Sequence, residues 1–292
     1  MLAALAGNLA ISVTKFVAFA FTRSTAMLTE GIHSLVDTGD QLLLLVGQRR
    51  AARPADAAHP FGYGMETYFW SFIVALMLFL AGGAVAVWEG AEKLVHPEPL
   101  ALPVVNFIVL GASIVFESLS FRTAYREYRH LVRGRDVRLL GFLRQSKDPN
   151  IFVTLLEDGA ALVGLMIALA GVTAATLGVE WADGAASIAI GLLLIAVALF
   201  MANETRSLIA GEAASPFLEQ ELREVLAACP ELGALTGLMT LHLGPRSILV
   251  NLCWRFPPAL TGAEVVQAFA AVEARVRAAD TRVSHVFIAP QA

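Results

Sequence analysis

The stretch E-G-I-H-S-L-V-D-T-G-D-Q occupies residues 30–41 and carries four ionisable side chains within otherwise apolar sequence. Glu30, His33, Asp37 and Asp40 stand at relative positions i, i+3, i+7 and i+10. This spacing places them on one face of a single α-helix. Because each charge in hydrocarbon costs about 2.5 to 3.5 kcal/mol on insertion scales, a membrane helix must turn such a face toward a bundle interior or a wet cavity. The pattern predicts that this face binds a cation.

The composition is typical of an integral membrane protein. Of the 292 residues, 57% are hydrophobic and 16% are charged, which is too apolar for an ordinary soluble protein of this length. The formal net charge is -4 without a long basic run, so we expect no nucleic-acid partner. Cys229 and Cys253 lie far apart, which favours reduced core residues over a disulfide or a zinc pair. The apolar start without a small-residue cleavage site predicts a first span rather than a removed signal peptide.

Six apolar stretches have about the 20 residues of helix that cross a bilayer core. They are residues 3–22, 28–48, 68–88, 102–124, 150–172 and 183–202. The connections after the second and fourth stretches hold eleven basic residues, namely Arg49, Arg50, Arg53, Arg122, Arg126, Arg129, Arg133, Arg135, Arg138, Arg144 and Lys147. The opposite side holds only Arg23 and Lys93, so we predict that both basic connections and both termini are cytoplasmic. We expect a bacterial inner membrane, with the longer basic connection against anionic lipid headgroups.

Toward the C-terminus the long apolar runs give way to shorter amphipathic elements. The predicted elements are a helix with Pro216 in its first turn, strands at 238–243 and 247–256, a helix at 262–278 and a strand at 283–288. We therefore predict an α-helical membrane protein with a six-helix transmembrane domain over residues 1–208. A small α+β ferredoxin-like cytosolic domain of order α-β-β-α-β should follow over residues 209–292.

His33 and Asp37 form the strongest candidate pair for a metal site. Neutral imidazole and carboxylate suit zinc and its neighbours in the first transition series, and the four-residue spacing lets both side chains reach one ion. We interpret Glu30 and Asp40 as supporting charges rather than direct ligands. The alternative interpretation is that His33 and Asp37 only hydrogen-bond within the bundle.

A second helix should complete the site, because two ligands leave a tetrahedral ion half coordinated. In the fifth apolar stretch, Asp158 shares a polar stripe with Asn150 and Thr154, which makes Asp158 the predicted third ligand. Glu157 points about 100° away and is the second choice, while Thr154 is a weaker candidate. We interpret Asp183, at the start of the sixth stretch, as a charge at a helix N-terminus rather than a ligand.

Other positions are weaker metal candidates. Glu117 in the fourth stretch is a buried carboxylate that can instead carry protons or pair with a basic residue. Asp56 and His59 could hold a surface metal, although turns rich in Pro and Gly often contain such pairs for ordinary reasons. His242 and His285 lie on predicted strands and could be neighbours across the sheet. No acidic or cysteine cluster accompanies those two histidines, so a cytosolic metal site is not favoured.

These residues together resemble the cation diffusion facilitator family of zinc and related divalent-metal transporters. The resemblance rests on the run at residues 26–41 that contains H-S-L-V-D, the D-A-A-H-P-F-G-Y-G turn at residues 56–64, the six apolar stretches and the α-β-β-α-β tail. It implies a homodimer that exports metal from the cytosol in exchange for protons, without a tightly bound cofactor. The expected substrate is Zn²⁺, with Cd²⁺, Fe²⁺, Co²⁺ or Mn²⁺ as alternatives.

The chain departs from the family pattern in informative places. The usual H-x-x-x-D pair of the fifth span falls on Asn150 and Thr154, with Glu157 and Asp158 one turn further on, similar to a divergent branch with an L-E-D element. Met65 follows the glycine turn where some members carry lysine, so a salt-bridge latch is not expected. The terminal domain lacks the His and Asp cluster of some relatives, which implies a dimerisation module.

Two other functions would use similar residue types. An intramembrane metalloprotease would need H-E-x-x-H, which is absent, so we do not expect an enzyme. A passive or regulatory divalent-metal channel or sensor remains an alternative, because binding residues alone do not demonstrate turnover. Dependence of metal flux on a proton gradient separates an antiporter from a channel.

Overall fold

The computed structural model describes residues 2–96, 103–132, 139–228 and 233–291. The helices before the sheet are α1 (Leu2–Thr22), α2 (Thr25–Ala51), α3 (Glu66–Met77), a π-helical segment (Leu78–Ala84), α4 (Val85–Val95), α5 (Pro103–Leu131), α6 (Leu139–Gln145), α7 (Pro149–Thr176) and α8 (Ala182–Gly211). The remaining elements are α9 (Pro216–Ala227), β1 (Ala234–Gly244), β2 (Ser247–Arg255), α10 (Gly262–Ala279) and β3 (Val283–Gln291). Predictions that involve Arg133, Arg135, Arg138 and Cys229 fall outside the described residues.

Within the part of the chain that the structure describes, four helical stretches are long and apolar enough to cross a membrane. They are Glu66–Val95, Pro103–His130, Pro149–Thr176 and Ala182–Ala227. The stretch Leu9–Thr22 within α1 is apolar but shorter, and α2 does not qualify because its row of ionisable side chains makes it more polar. The chain is thus mostly helical with apolar helices of membrane length, while the count of six spans stays a prediction.

The described chain divides into two compact units. The first comprises Met1–Gly47 and Trp70–Thr205, and the second comprises Gln48–Phe69 and Arg206–Ala292. The boundary that the sequence predicts between residues 208 and 209 stays a prediction.

Glycines bring α4 and the π-helical segment into close contact with α8. A Cβ atom added at Gly90 would lie 2.7 Å from the backbone oxygen of Gly184, and one added at Gly184 would lie 2.9 Å from that of Gly90. Gly83 and Gly191 repeat the arrangement, at 3.1 and 2.8 Å. These distances leave no room for a side chain, so the two helices pack backbone against backbone, as small residues permit in membrane helices.

The C-terminal sheet has the order β1-β2-β3, with β1 antiparallel and β3 parallel to β2. In β2 the residues Ile248, Val250, Leu252 and Trp254 are all buried, which confirms the predicted alternation. They pack against α9 and α10 through Leu218, Leu222, Leu226, Val272 and Val276. One sheet face therefore forms the core of the small α+β module.

The expectation that His242 and His285 could be neighbours across the sheet is wrong. His242 lies on β1 and His285 on β3, and β2 runs between these strands. His242 is buried with its Nδ1 3.2 Å from the Gly244 oxygen, whereas His285 Nδ1 lies 2.9 Å from the Ser284 hydroxyl. The two histidines are separated because β1 and β3 lie on opposite edges of β2.

The loop after α2 contacts this sheet within the second unit. The Phe61 ring lies 5.2 Å from the His285 ring and 6.3 Å from the Phe287 ring, both edge to face. Gly64 lies directly against the Leu243 carbonyl oxygen, where a Cβ would clash. The turn that carries Asp56 and His59 thus belongs structurally with β1 and β3.

Candidate metal site

The first unit holds His33 and Asp37 one turn apart on α2, as the sequence predicts. His33 Nδ1 lies 3.4 Å from Asp37 Oδ1, and the imidazole is 1% exposed. Among the described residues, neither ring nitrogen of His33 nor Asp37 Oδ1 has a hydrogen-bond partner. Buried polar atoms without partners are rare in native proteins, because each carries a desolvation cost. These atoms are therefore available as metal ligands.

Carboxylates from two other helices act on this pair. Glu117, on α5, and Asp158, on α7, lie close enough to His33 for their charges to interact with it, and Asp158 lies similarly close to Asp37. Glu117 is 8% exposed, and α5 packs along α7. Four side chains that the sequence singled out thus share one region of the bundle. We call His33, Asp37, Glu117 and Asp158 the acidic cluster.

A hydroxyl from α5 orients Asp158. Ser120 Oγ donates to Asp158 Oδ2 at 2.8 Å, across the contact between α5 and α7. One carboxylate oxygen is thereby fixed, while a carboxylate retains further lone pairs for another cation. A hydrogen bond from a neighbouring helix therefore fixes the orientation of the Asp158 carboxylate.

Glu157 takes a different partner from its neighbour in sequence. It is 6% exposed, and its carboxyl group lies within hydrogen-bonding reach of Asp40 on α2. Among the described residues, no donor reaches Glu157 Oε1 or either oxygen of Asp40. The two acidic neighbours on α7 thus have different first partners, Ser120 for Asp158 and Asp40 for Glu157.

The residues at the family's usual ligand positions hold the first turn of α7. Thr154 Oγ1 donates to the Asn150 backbone oxygen at 2.8 Å, and Asn150 Nδ2 donates to Asp148 Oδ1 at 2.9 Å. Asp148 is the N-cap of this helix and also accepts from the Asn150 amide. Both Asn150 and Thr154 are thus engaged in local bonds, and a metal role for Thr154 stays a prediction.

Within the described ranges, no three His, Cys, Asp or Glu side chains are grouped closely enough to hold one ion as they stand. The His33 and Asp37 pair supplies two donors on α2. A tetrahedral ion requires two more, so binding requires donors on the neighbouring helices to approach that pair.

Sequence reasoning missed the partners of a buried lysine. Lys15 Nζ, on α1, donates to Glu30 Oε2 at 3.1 Å and to Ser34 Oγ at 2.8 Å. The side chains of Lys15 and Glu30 are 1% and 0% exposed. A lysine within an apolar helix is a signal in itself, because so costly a charge must have an acceptor nearby.

Asp56 and His59 lie in the exposed turn and not in the bundle. Asp56 accepts from Tyr63 Oη at 2.7 Å and from the His59 amide at 2.8 Å, and these bonds lower the pKa of Asp56. His59 Nδ1 lies 3.6 Å from Asp56 Oδ1. Hydrogen bonding within the turn accounts for the spacing, and a surface metal here stays a prediction.

Comparison with protein families identifies the chain. Residues 1–210 match the model of the cation efflux transmembrane domain. The chain belongs to the cation diffusion facilitator, or cation efflux, family. This result confirms the resemblance based on the H-S-L-V-D and H-P-F-G-Y-G elements.

Named relatives within the cation efflux family include mitochondrial and bacterial proteins. The chain is 32% identical to the proton-coupled zinc antiporter SLC30A9, mitochondrial, of Xenopus laevis over 236 residues. The aligned region covers 80% of this chain and 42% of the relative. The human protein of the same name is 32% identical over 232 residues, covering 79% and 41%. The cation-efflux pump FieF of Cronobacter sakazakii is 28% identical over 251 residues, covering 85% and 78%.

The chain therefore spans less than half the length of the mitochondrial relatives. All three relatives carry the names of transporters rather than enzymes. This agrees with the prediction, made from the absence of H-E-x-x-H, that the chain is not an enzyme.

Proposed function

We propose that this protein expels divalent metal ions, Zn²⁺ first among them, from the cytosol in exchange for protons. The observation that carries the proposal is the buried His33 and Asp37 pair, whose donor atoms have no hydrogen-bond partners among the described residues. An imidazole and a carboxylate in a carboxylate-rich environment are suited to a divalent cation that prefers nitrogen and oxygen ligands.

Asp158 is the third ligand of the proposed site. It influences both His33 and Asp37, and Ser120 fixes one of its oxygens. Glu157 is the second choice, because its carboxyl group lies beside Asp40 instead. Glu117 shares the acidic cluster and acts as a proton carrier or an additional ligand.

Proton coupling follows from the chemistry of these ligands. A metal binds neutral imidazole and ionised carboxylates, so protons and metal compete for the same atoms of His33, Asp37 and Asp158. Metal enters from the cytosol and displaces protons from the site. After the bundle turns to the other side of the membrane, protons from the more acidic compartment expel the metal and reset the site.

The choice of metal rests on one ligand and on the relatives. Imidazole at His33 favours zinc over manganese, since oxygen ligands alone suit manganese better. Two relatives are named proton-coupled zinc antiporters, and a third is named a cation-efflux pump. Cd²⁺, Fe²⁺, Co²⁺ and Mn²⁺ are alternative substrates, and a competition panel in vesicles would rank them.

We further propose six spans, with both termini cytoplasmic, in a bacterial inner membrane against anionic lipid. The helices α1 and α2 supply the two spans beyond the four apolar stretches, and the polar face of α2 turns inward toward α7.

A homodimer forms through the C-terminal module. On the sheet face away from α9 and α10, Met239 is 57% exposed and Phe287 is 48% exposed, flanking Asn251 in one cross-strand row.

Zinc uptake into inverted membrane vesicles tests the proposal. An imposed pH gradient should drive Zn²⁺ uptake by the unmodified protein, and His33→Ala or Asp37→Ala should abolish that uptake. His130→Ala is the matched control, because this histidine is exposed on α5. Uptake that persists in both site variants would remove His33 and Asp37 from the mechanism.

The same vesicles distinguish an antiporter from a channel. Collapse of the pH gradient with an ionophore should stop Zn²⁺ uptake against its own gradient. Zinc flux that follows only the zinc gradient, whatever the proton gradient, would instead indicate a passive or regulatory channel.

A further inference from the structure

The buried ion pair between Lys15 and Glu30 lies one helical turn from the proposed metal ligand His33. Lys15 donates to Glu30 Oε2 at 3.1 Å and to Ser34 Oγ at 2.8 Å. Ser34 follows His33 directly in sequence. The ammonium group of α1 thus contacts α2 on both sides of His33.

Fold stability alone does not account for this pair. Removing two charges from water is costly, and apolar residues of similar volume often replace a buried ion pair without loss of stability. Ionisable residues inside membrane helices usually mark substrate or ion pathways. We therefore expect the Lys15 and Glu30 pair to act on ion binding at the neighbouring site.

Lys15 supplies positive charge where carboxylates dominate. Lys15 places its ammonium group 3.1 Å from Glu30 Oε2, on the helix face that also carries His33, Asp37 and Asp40. Glu30 lies three residues before His33 on α2, so the two side chains project from the same face of the helix. An ion held by His33 would therefore feel Glu30 strongly, unless Lys15 neutralised that carboxylate.

The surroundings restrict the movement of Glu30. Its Oε2 is engaged by Lys15, and its Oε1 lies against Gly164 of α7, where an added Cβ would be 2.9 Å away. Oε1 has no hydrogen-bond partner among the described residues. Glu30 thus has a carboxylate that could bind a metal and lies one turn from His33. Its charge, however, is already neutralised by Lys15.

We propose that Lys15 is a resident counter-cation that withholds Glu30 from the transported metal. By pairing with Glu30 it limits the negative charge around the ion to the carboxylates that coordinate it. The site then binds the metal loosely enough to release it, since each added carboxylate strengthens the attraction for a divalent cation. Lys15 is thus a positioning residue that sets metal affinity, an inference that rests on the proposed metal site.

Opposite changes at the two residues test the inference. Zn²⁺ is titrated calorimetrically into the purified full chain in detergent, and zinc uptake is measured in proteoliposomes. Lys15→Met frees Glu30, so zinc affinity should tighten about tenfold or more while the maximal uptake rate falls. Glu30→Gln leaves the lysine charge unmatched, so affinity should weaken about tenfold. The double variant K15M/E30Q should return near the original affinity, and Lys15→Arg should stay near it.

This sign pattern separates a charge effect from simple structural damage, which would weaken binding in every variant. Unchanged or weaker affinity in a folded Lys15→Met would overturn the inference. If that variant does not fold, Glu30→Gln with the original affinity would overturn it. The proposed site is judged separately by His33→Ala. If that change leaves zinc binding intact, the site itself is wrong, whereas loss in His33→Ala with no effect of Lys15→Met rejects only the counter-cation.

Discussion

The Asp183 carboxylate accepts hydrogen bonds from both the backbone amide and the side-chain hydroxyl of Thr25. Its Oδ2 accepts from the Thr25 amide at 2.7 Å and from the Thr25 hydroxyl at 2.9 Å, while its Oδ1 accepts from Ser24 Oγ at 2.7 Å. Asp183 lies in the first turn of α8, as the sequence predicts for a helix N-terminal charge, yet it caps the start of α2. The helix that carries His33 is thus anchored to α8 at its beginning.

Loss of this cap should destabilise the protein. In Asp183→Ala the buried donors of Thr25 and Ser24 lose their acceptor, which should cost about 1–3 kcal/mol. We expect a lower midpoint of thermal unfolding in detergent. Glu180→Ala is the control, because Glu180 is an exposed acidic residue in the connection just before α8. Equal midpoints for the two variants would show that the cap contributes nothing.

The contact between α4 and α8 should not tolerate a methyl group. In Gly90→Ala the new Cβ would meet the Gly184 oxygen at 2.7 Å, so the helices must separate, at a cost of about 1–3 kcal/mol. We expect less folded protein and a lower unfolding midpoint. Gly111→Ala is the matched control, because nothing lies within 4 Å of a Cβ at this helical glycine. A smaller effect at Gly90 than at Gly111 would contradict the packing.

The two acidic neighbours on α7 should differ in their effect on zinc binding. Asp158→Ala should abolish high-affinity Zn²⁺ binding, because the proposed third ligand is lost. Glu157→Ala should retain binding with reduced affinity, since Glu157 lies with Asp40. Ser120→Ala should weaken binding mildly, because it only orients Asp158. Calorimetric titration decides, and equal, mild effects at Asp158 and Glu157 would mean that α7 supplies no ligand.

The exposed turn should show a pH dependence set by Tyr63. Hydrogen bonds from Tyr63 and then the His59 amide lower the pKa of Asp56, so they favour the ionised carboxylate. At a pH above the ordinary pKa of aspartate, these hydrogen bonds help to order the turn. The ordering is lost when the pH falls through the lowered pKa of Asp56, because the carboxylate is then protonated. Tyr63→Phe should move that pKa upward.

The measurement is an NMR titration of labelled aspartate carboxyl carbons in the full chain. Asp280 serves as an internal control, because its pKa is lowered by Arg282 and not by Tyr63. An Asp56 titration that does not change in Tyr63→Phe, or an equal shift at Asp280, would contradict the assignment.

Residue periodicity was sufficient to predict the elements of the C-terminal module. Alternation in β2 places every second side chain in a single core, and Pro216 begins α9 with Ser215 as its N-cap. Such local signals fix the type of element. The order of the strands depends on how α10 returns the chain to the sheet, so the separation of His242 from His285 could not be read from local pattern.

Helical spacing likewise placed His33 and Asp37 on one face, since both lie on the same helix. The partners of the α7 carboxyl groups depend instead on the rotation of α7 relative to α2 and α5. Ser120 selects Asp158, and Asp40 lies with Glu157, although the two acidic residues are adjacent in sequence. The π-helical segment that contains Gly82 and Gly83 was also not predicted, because its sequence carries the same apolar pattern as an ordinary membrane helix.

The contact of Phe61 with His285 and Phe287 has a practical consequence for any attempt to separate the protein into parts. The second compact unit consists of two segments that are distant in sequence, Gln48–Phe69 and Arg206–Ala292. A fragment that starts at residue 209 would lack Phe61, which contacts β3 at Phe287. It would also lack Gly64, which packs against the backbone oxygen of Leu243. Chimeras that exchange the C-terminal module between relatives should therefore include the segment Gln48–Phe69 along with it.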